Sequence, residues 1–414
     1  MAERSDATRR RIPKWQDIRP LLGFRRPTGD AALNRSASVA DIRALARRRV
    51  PRAVFDYTDG AAGDESGLTR ARRAFTDVQF DPRVLRDVST VDTSTEIFGA
   101  RSSMPLILGP TGFTRMMHYR GEIAVAAVAA RERLPYGLST LGTTSIEDLA
   151  AAQPNLDRWF QLYLMTDRGY GKELIDRAWS AGYRTIILTV DTPVAGRRHR
   201  DVRNGLTIPP QLTLRTMADM AVHPRWWGNL LTTEPLRFAT LSSTEGTVAD
   251  LIGRVFDPAI TLDDLDWLRS AWPGTLTVKG IQSAQDARLV VDHGADGVIL
   301  STHGGRQLER PPLPFEILPE VRDALGGSTP VFIDGGIVNG ADIVAALCRG
   351  ADAVAIGRAY LYGLMAGGEA GVQRVIDLLR GEMETTMRLL GRTTIAELGP
   401  DCLRIENAER GRDT

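Results

Sequence analysis

The stretch Ser301-Thr302-His303-Gly304-Gly305-Arg306-Gln307 holds the residue types of a proton-transfer site. It follows an apolar run, Asp296 to Leu300, that reads as a buried strand. An imidazole exchanges its proton near neutral pH. A guanidinium three residues on can grip a carboxylate through two parallel hydrogen bonds. The glycines between them let the backbone approach a ligand closely. A base beside an anion clamp is equipment for taking a proton from a small acid. The competing reading is a structural turn whose arginine is satisfied by its surroundings.

Elements able to position such a loop recur along the chain. Short β-branched or apolar runs occur at Met104–Gly109, Pro135–Ser139, Arg158–Tyr163, Thr185–Val190, Leu276–Val278, Gly297–Leu300, Val331–Ile333 and Ala353–Ile356. Each is followed by a helical pattern or room for one, as at Glu122–Arg133 and Gly340–Leu347. Strand-then-helix repeated in this way predicts an α/β fold, a (β/α)₈ TIM barrel. No Gly-x-Gly-x-x-Gly turn follows an early strand, which argues against a doubly wound sheet.

A barrel gathers its chemistry at the strand C-termini. Those ends carry Thr111, Ser139, Gln161 and Tyr163, Thr189 and Asp191, Lys279, His303 and Arg306, Asp334, and Gly357-Arg358. Residues 1–100 read as a helical preface packed on the barrel, with helices around Val39–Arg48 and Arg52–Tyr57. Residues 101–398 read as the barrel, with a long insert, 206–256, between its fourth and fifth strands. Residues 399–414 read as a polar tail.

Composition narrows the partners. The 414 residues, 43% hydrophobic and 25% charged, suit a soluble globular chain. A net charge of +1 gives no reason to expect nucleic acid. His118, His199, His223, His293 and His303 have no metal-ligand spacing, so no metal is expected. Cys348 and Cys402 are too few for a disulfide framework and fit a reducing cytoplasm. No apolar run is long enough to span a bilayer, and the N-terminus lacks the apolar core of a secretory signal. Residues 1–52 carry 14 Lys/Arg against 5 Asp/Glu, which suits either a solvated basic face or anionic lipid headgroups.

Several motifs stand together in order: Phe55-Asp56-Tyr57 with Gly60 to Glu65, Pro110-Thr111-Gly112, Gln161-Leu162-Tyr163, Thr189 to Pro193, Val278-Lys279-Gly280, the His303 loop, Asp334-Gly335-Gly336 and Gly357-Arg358. From about Asp41 to Leu398 the chain resembles the FMN-dependent L-2-hydroxy acid dehydrogenase and oxidase family. The pattern is most similar to its bacterial lactate dehydrogenases that deliver electrons to quinone. The resemblance implies FMN across the strand ends, with backbone from Pro110, Thr111 and Gly112 beneath the ring. It implies hydrogen bonds to the ring from Ser139, Gln161 and Thr189, Lys279 at the pyrimidine edge, and further contacts from Ser301 and Asp334. Gly335, Gly336, Gly357 and Arg358 are then expected at the phosphate, which suits the usual anion site after the last two barrel strands.

For the substrate, the resemblance implies His303 as base, Asp191 as its partner, Arg306 and Arg198 as the carboxylate clamp, Tyr57 on the carboxylate and Tyr163 near the hydroxyl. The implied reaction is oxidation of a small L-2-hydroxy acid, L-lactate foremost, to the 2-oxo acid. A quinone-type acceptor, peripheral contact with the inner face of the cell membrane and a homotetramer go with it. The alternatives are an oxygen-using oxidase, or the same chemistry on a larger acid such as mandelate. Gly112 stands where several oxidases carry alanine, which favours a dehydrogenase. Leu141 replaces aromatic side chains of some relatives and leaves room for a larger acid. A non-catalytic FMN-binding barrel or an FMN isomerase acting on a diphosphate would need no base with a carboxylate clamp. The chain departs from the family at Thr302, where asparagine is usual, and at Val338, where many members place an arginine that reaches the phosphate.

The insert has its own signature. Pro209-Pro210 precedes Met217, Met220, His223-Pro224-Arg225-Trp226-Trp227 and Leu230-Leu231, with Arg215 nearby. That mixture suits the boundary between headgroups and acyl chains. The competing expectation is a lid whose tryptophans pack against the barrel.

Overall fold

The structure, a computed structural model, describes residues 14–18, 30–204, 214–241 and 256–404. A short hairpin comes first, β1 (Thr95–Ile97) and β2 (Ala100–Ser102). Then follow β3 (Leu106–Thr111), β4 (Tyr136–Ser139), β5 (Arg158–Leu162), β6 (Thr185–Thr189), β7 (Thr275–Ile281), β8 (Gly297–Leu300), β9 (Val331–Asp334) and β10 (Ala353–Ile356). These pair in parallel and in chain order, and β10 closes on β3. The predicted TIM barrel is the fold. Both faces of each strand are covered, which is why the runs are apolar rather than alternating. Helices Gly121–Glu132, Ile146–Ala152, Arg168–Ser180, Leu262–Ala271, Ala284–Asp292, Pro314–Leu325, Gly340–Cys348 and Arg358–Leu390 follow the strands in turn.

One end of the barrel is sealed. Ile107, Trp159, Ile187, Ile299 and Phe332 form an apolar layer against which Phe98 packs. The Phe98 ring lies 5.5 Å from Trp159 and 5.2 Å from Phe332. Phe98 sits at the tip of the β1–β2 hairpin, whose two-residue turn puts Phe98 and Gly99 at φ 48° and 77°. A turn with both central φ angles positive matches the twist of a tight hairpin. The expected division at residue 100 falls inside this hairpin.

The preface covers the opposite, C-terminal end. Beyond the two expected helices, which run Val39–Arg49 and Arg52–Asp59, it contains Ala31–Arg35 and Ser66–Thr76. Buried Asp59 organises this cap, receiving Arg43 at 2.6 Å, Arg200 at 2.8 Å and the Tyr362 hydroxyl at 2.8 Å. Of the expected polar tail, Cys402 is buried and Leu403 bridges to Phe80; residues 405–414 lie outside the described residues.

Within the insert, residues 206–213 and 242–255, including Pro209-Pro210, lie outside the described residues, as does the Arg215 side chain. The remainder forms a helical pair, Leu214–Ala221 and Pro224–Leu231. The two tryptophans part company. Trp226 turns inward and donates to the Met116 carbonyl at 2.8 Å. Trp227, Met217 and Leu231 are 38%, 53% and 73% exposed. One tryptophan thus packs on the barrel, as the lid expectation has it, and its neighbour is exposed.

Candidate active site

Parallel pairing sets the strand ends side by side. Ser139 lies opposite Gln161, and Thr189 opposite Lys279. The Ser139 hydroxyl donates to Gln161 Oε1 at 3.1 Å, and Gln161 Nε2 donates to Thr189 Oγ1 at 3.1 Å. These three residues form a buried polar row across β4, β5 and β6. Lys279 continues it, donating to Ser301 Oγ at 2.8 Å and pairing with Asp334 at 3.1 Å. Burial alone would lower the Lys279 pKa, but the charges of Asp334 and Asp191 outweigh it and raise it. Lys279 is a fixed, buried cation.

The His303 loop sits beside this row. His303 Nδ1 is 3.0 Å from Asp191 Oδ1. Burial opposes ionisation of Asp191, yet the neighbouring His303 and Lys279 hold its carboxyl below the ordinary value. The backbone at His303 is left-handed, φ 55°, a conformation held by hydrogen bonds at both sides. His303 N–H donates to Ser301 Oγ at 3.0 Å, and Gly305 N–H donates to Thr302 Oγ1 at 3.3 Å. Thr302, the departure noted above, thus ties down the turn that carries His303.

Three arginines converge nearby. Arg306 donates to the carbonyls of Tyr57 and Gly60, and its guanidinium lies 4.9 Å from the Tyr57 ring centre. Arg198 flanks the same ring at 5.7 Å and is braced by Asp201 at 2.6 Å. Arg358 donates to Thr58 O at 3.1 Å and Gly60 O at 2.8 Å. Burial first, and then the charge of Arg198 with a smaller part from Arg358, lower the Arg306 pKa to about 10. This surplus of positive charge is relieved by an entering anion. Burial, with the Asp191 charge, pushes the Tyr163 hydroxyl well above its ordinary value, so it stays a neutral donor.

These groups line one cavity of about 1260 Å³, which includes Tyr57, Pro110 to Gly112, Ser139, Gln161, Tyr163, Thr189, Lys279, His303, Arg198, Arg306, Asp334 to Gly336, Gly357 and Arg358. Ser301 and Asp191 stand just behind it, touching Lys279 and His303. Two buried carboxylate oxygens, Asp191 Oδ2 and Asp334 Oδ1, have no hydrogen-bond partner among the described residues. Buried acceptors of this kind call for a donor from a bound molecule or water. Gly335 and Gly336 have φ of 87° and 82°, and a Cβ on Gly336 would stand 2.8 Å from Ala71 O. A Cβ on Gly112 would stand 2.8 Å from that of Leu141.

Sequence reasoning missed Arg72. From the unexpected helix Ser66–Thr76 it donates to Gly336 O at 2.7 Å and pairs with Asp342 at 2.9 Å, fixing the loop after β9 where Val338 leaves no cation. Arg70 and Arg73 flank it, so residue type alone does not set it apart. Only the register of the apolar Leu68, Ala71 and Phe75 could have singled it out. Among the described residues no cluster could hold a metal ion, and no helix is long and apolar enough to cross a membrane.

Comparison with known proteins agrees with this geometry. A protein-family model described as FMN-dependent dehydrogenase matches residues 46–405. A Mycobacterium tuberculosis protein provisionally named an L-lactate dehydrogenase is 53% identical over 95% of this chain and 96% of its own. An L-lactate dehydrogenase of Xanthomonas campestris pv. campestris is 40% identical over 89% of this chain and 96% of its own. The crystal structure of the monotopic membrane protein (S)-mandelate dehydrogenase superposes with a TM-score of 0.86 at 39% identity, covering 89% of this chain and 99% of that one. With a matching family model over most of its length, the barrel and a polar cavity at the strand ends, the chain belongs to the FMN-dependent dehydrogenase family.

Proposed function

We propose that this enzyme oxidises an L-2-hydroxy acid, with L-lactate as the reference substrate, to the 2-oxo acid and passes the electrons to a quinone at the membrane. The observation that carries the reading is the His303–Asp191 pair at 3.0 Å beside the buried arginines Arg306 and Arg198 in one cavity. The names of the similar lactate dehydrogenases support the substrate class, and lactate and mandelate are both 2-hydroxy acids.

The residues present fit FMN. The unpartnered Asp334 Oδ1 suits a ribityl hydroxyl, and the left-handed Gly335 and Gly336 with Gly357 and Arg358 suit the phosphate. Ser139, Gln161, Thr189 and Ser301 would meet the polar edge of the ring, and Pro110, Thr111 and Gly112 would lie beneath it. When bound, FMN supplies the two-electron acceptor. Lys279, a fixed cation among these groups, favours negative charge developing there.

The chain's own residues handle the acid. Arg306 and Arg198 hold its carboxylate, and Tyr57 adds a hydrogen bond. Tyr163, kept neutral, orients the hydroxyl. The acid loses two electrons and two protons: His303 takes one proton on its Nε2, and the electrons with the second proton would pass to the acceptor that FMN supplies. Asp191, held ionised, stabilises the imidazolium and keeps Nδ1 protonated toward it. The exposed Trp227, Met217 and Leu231, with the basic N-terminal region, support peripheral attachment at the inner face of the cell membrane. A homotetramer belongs to the same reading, and native mass measures it.

Anaerobic addition of L-lactate and other L-2-hydroxy acids to the yellow protein tests the reading: bleaching is expected. His303→Gln should keep its colour and lose about 10²–10⁴-fold in the bleaching rate. Re-oxidation by a quinone much faster than by air is expected as well. Failure of every 2-hydroxy acid to bleach the protein would defeat the proposal.

A further inference from the structure

Several groups proposed to meet the flavin ring depend on one loop, Ser139 to Thr144, between β4 and helix Ile146–Ala152. Thr140 N–H donates to Gln161 Oε1 at 3.2 Å, the oxygen that also receives the Ser139 hydroxyl. With both donors on Oε1, the Gln161 amide is set with Nε2 toward Thr189. Thr140 Oγ1 donates to Gln161 O at 2.6 Å and accepts the Tyr163 N–H at 3.1 Å. Leu141 O accepts the Phe113 N–H at 2.9 Å, and the Leu141 side chain stands against Gly112. Ser139, Gln161, Tyr163 and Gly112 thus share one support. Two fully buried side chains hold it from opposite sides. Glu122, in the first turn of helix Gly121–Glu132, accepts the Thr143 N–H at 2.7 Å and the Thr144 hydroxyl at 2.9 Å. The Thr143 hydroxyl reaches both of its oxygens, at 2.9 and 2.7 Å. Thr240 comes from the insert, where the chain turns through Ala239–Leu241. Its hydroxyl lies 3.4 Å from the carbonyls of Ser139 and Gly142 and 3.3 Å from that of Thr144. Gly142 leaves room for this approach, because a Cβ there would stand 2.9 Å from Thr240 Oγ1.

We propose that Glu122 and Thr240 are positioning residues for flavin reduction, which clamp the Ser139–Thr144 loop between them and so fix Ser139, Gln161, Tyr163 and Gly112 against cofactor and substrate. The proposal rests on the FMN and 2-hydroxy acid reading above. It gives the insert a second task, separate from that of its exposed face: its returning end is part of the wall of the site. Neither side chain lines the cavity, so each acts through the loop. Removing either leaves buried polar groups of the loop without a partner, which the loop must move to satisfy. A misplacement of about 1 Å in reacting or orienting groups costs about 10²-fold in rate.

The test pairs a disruptive with a conservative change at each anchor. Thr240→Val keeps the shape and removes the donor, whereas Thr240→Ser keeps it. Glu122→Leu removes both acceptors, whereas Glu122→Gln retains one oxygen for the Thr143 N–H and lets the hydroxyls turn to accept. The limiting rate of anaerobic bleaching by L-lactate, per bound FMN, should fall about 10-fold in Thr240→Val and up to about 10²-fold in Glu122→Leu. The serine and glutamine variants should recover most of it. KM for the acid should change little, because Arg306 and Arg198 are held elsewhere, and the visible absorption bands of the bound flavin should shift in the disruptive variants. FMN content and melting temperature report folding, and the Thr240 pair carries the test if Glu122→Leu does not fold. Folded, loaded Thr240→Val that bleaches at the wild-type rate with the wild-type spectrum overturns the proposal. So does a loss that follows FMN content alone, which marks a merely structural role. If no 2-hydroxy acid bleaches even the wild type, the reaction reading has failed, and the spectra then decide the loop's role at the cofactor: unchanged bands in both disruptive variants overturn it.

Discussion

Replacing Asp191 by asparagine isolates what the buried carboxylate does for the base. The side chain keeps its shape and can still accept from His303 Nδ1, now 3.0 Å away, but the charge is gone. Two opposite unit charges about 4 Å apart attract by about 4 kcal/mol at an effective dielectric constant near 20. The asparagine dipole recovers part of that, which leaves a loss of about 2–4 kcal/mol at the moment the imidazolium forms. At about 1.4 kcal/mol per factor of ten, flavin reduction should slow by roughly 30- to 1000-fold. Cofactor loading should be retained, because Lys279 keeps Asp334 at 3.1 Å as a counter-charge. Stopped-flow bleaching by L-lactate under anaerobic conditions, at saturating substrate, measures the step directly. A limiting rate within threefold of wild type, in protein with full FMN content, would refute the role given to Asp191.

Arg306→Lys keeps a cation but loses the planar fork, so KM for the acid should rise at least tenfold with FMN content unchanged; steady-state kinetics and absorbance decide. Changing Trp227, Met217 and Leu231 together to serine should release the protein from anionic vesicles while dye-linked turnover persists, and a wild type that never co-sediments at low salt contradicts the attachment. Burial opposes ionisation of Asp59, but Arg43, Tyr362 and Arg200 prevail and lower its pKa to about 2. The resulting stability, roughly 2 kcal/mol from a shift of this size, is present above the ordinary carboxyl range and lost as pH falls from about 4 toward 2. The stability gap between wild type and Asp59→Asn should therefore narrow over that window, and a gap independent of pH would contradict the network.

The barrel was legible because each strand is buried on both faces and so reads as an unbroken apolar run. Boundaries slipped where glycine or proline interrupts such a run without ending the strand. β3 continues through Gly109 and Pro110 to Thr111, and β7 passes Gly280, at φ 108°, with a shift of register. The candidate residues at the strand ends could be picked out for the same reason, and the structure brings them to one cavity, whereas Tyr57 and Arg198 came only from the family resemblance. Long-range partnerships were not legible. Nothing local to Arg358 or Arg306 says that their guanidinium groups grip the carbonyls of Thr58, Tyr57 and Gly60, and nothing local to Phe98 says that its ring plugs the barrel. The hairpin strands are three residues each, too short to show a period.

The grip of Arg306 on Tyr57 spans 249 residues of sequence, and Val354 of β10 must reach back to Leu106 of β3 to close the ring. A ribosome delivers the two halves of this centre at opposite ends of synthesis. Until β10 emerges, the early strands have an unpaired edge and the preface has no mouth to cover. Gly335, Gly336 and Gly357, proposed above for the cofactor's phosphate, also come late in the chain. Flavin loading is therefore expected late in biogenesis, and until β10 arrives the edge of β3 is open to edge-to-edge association.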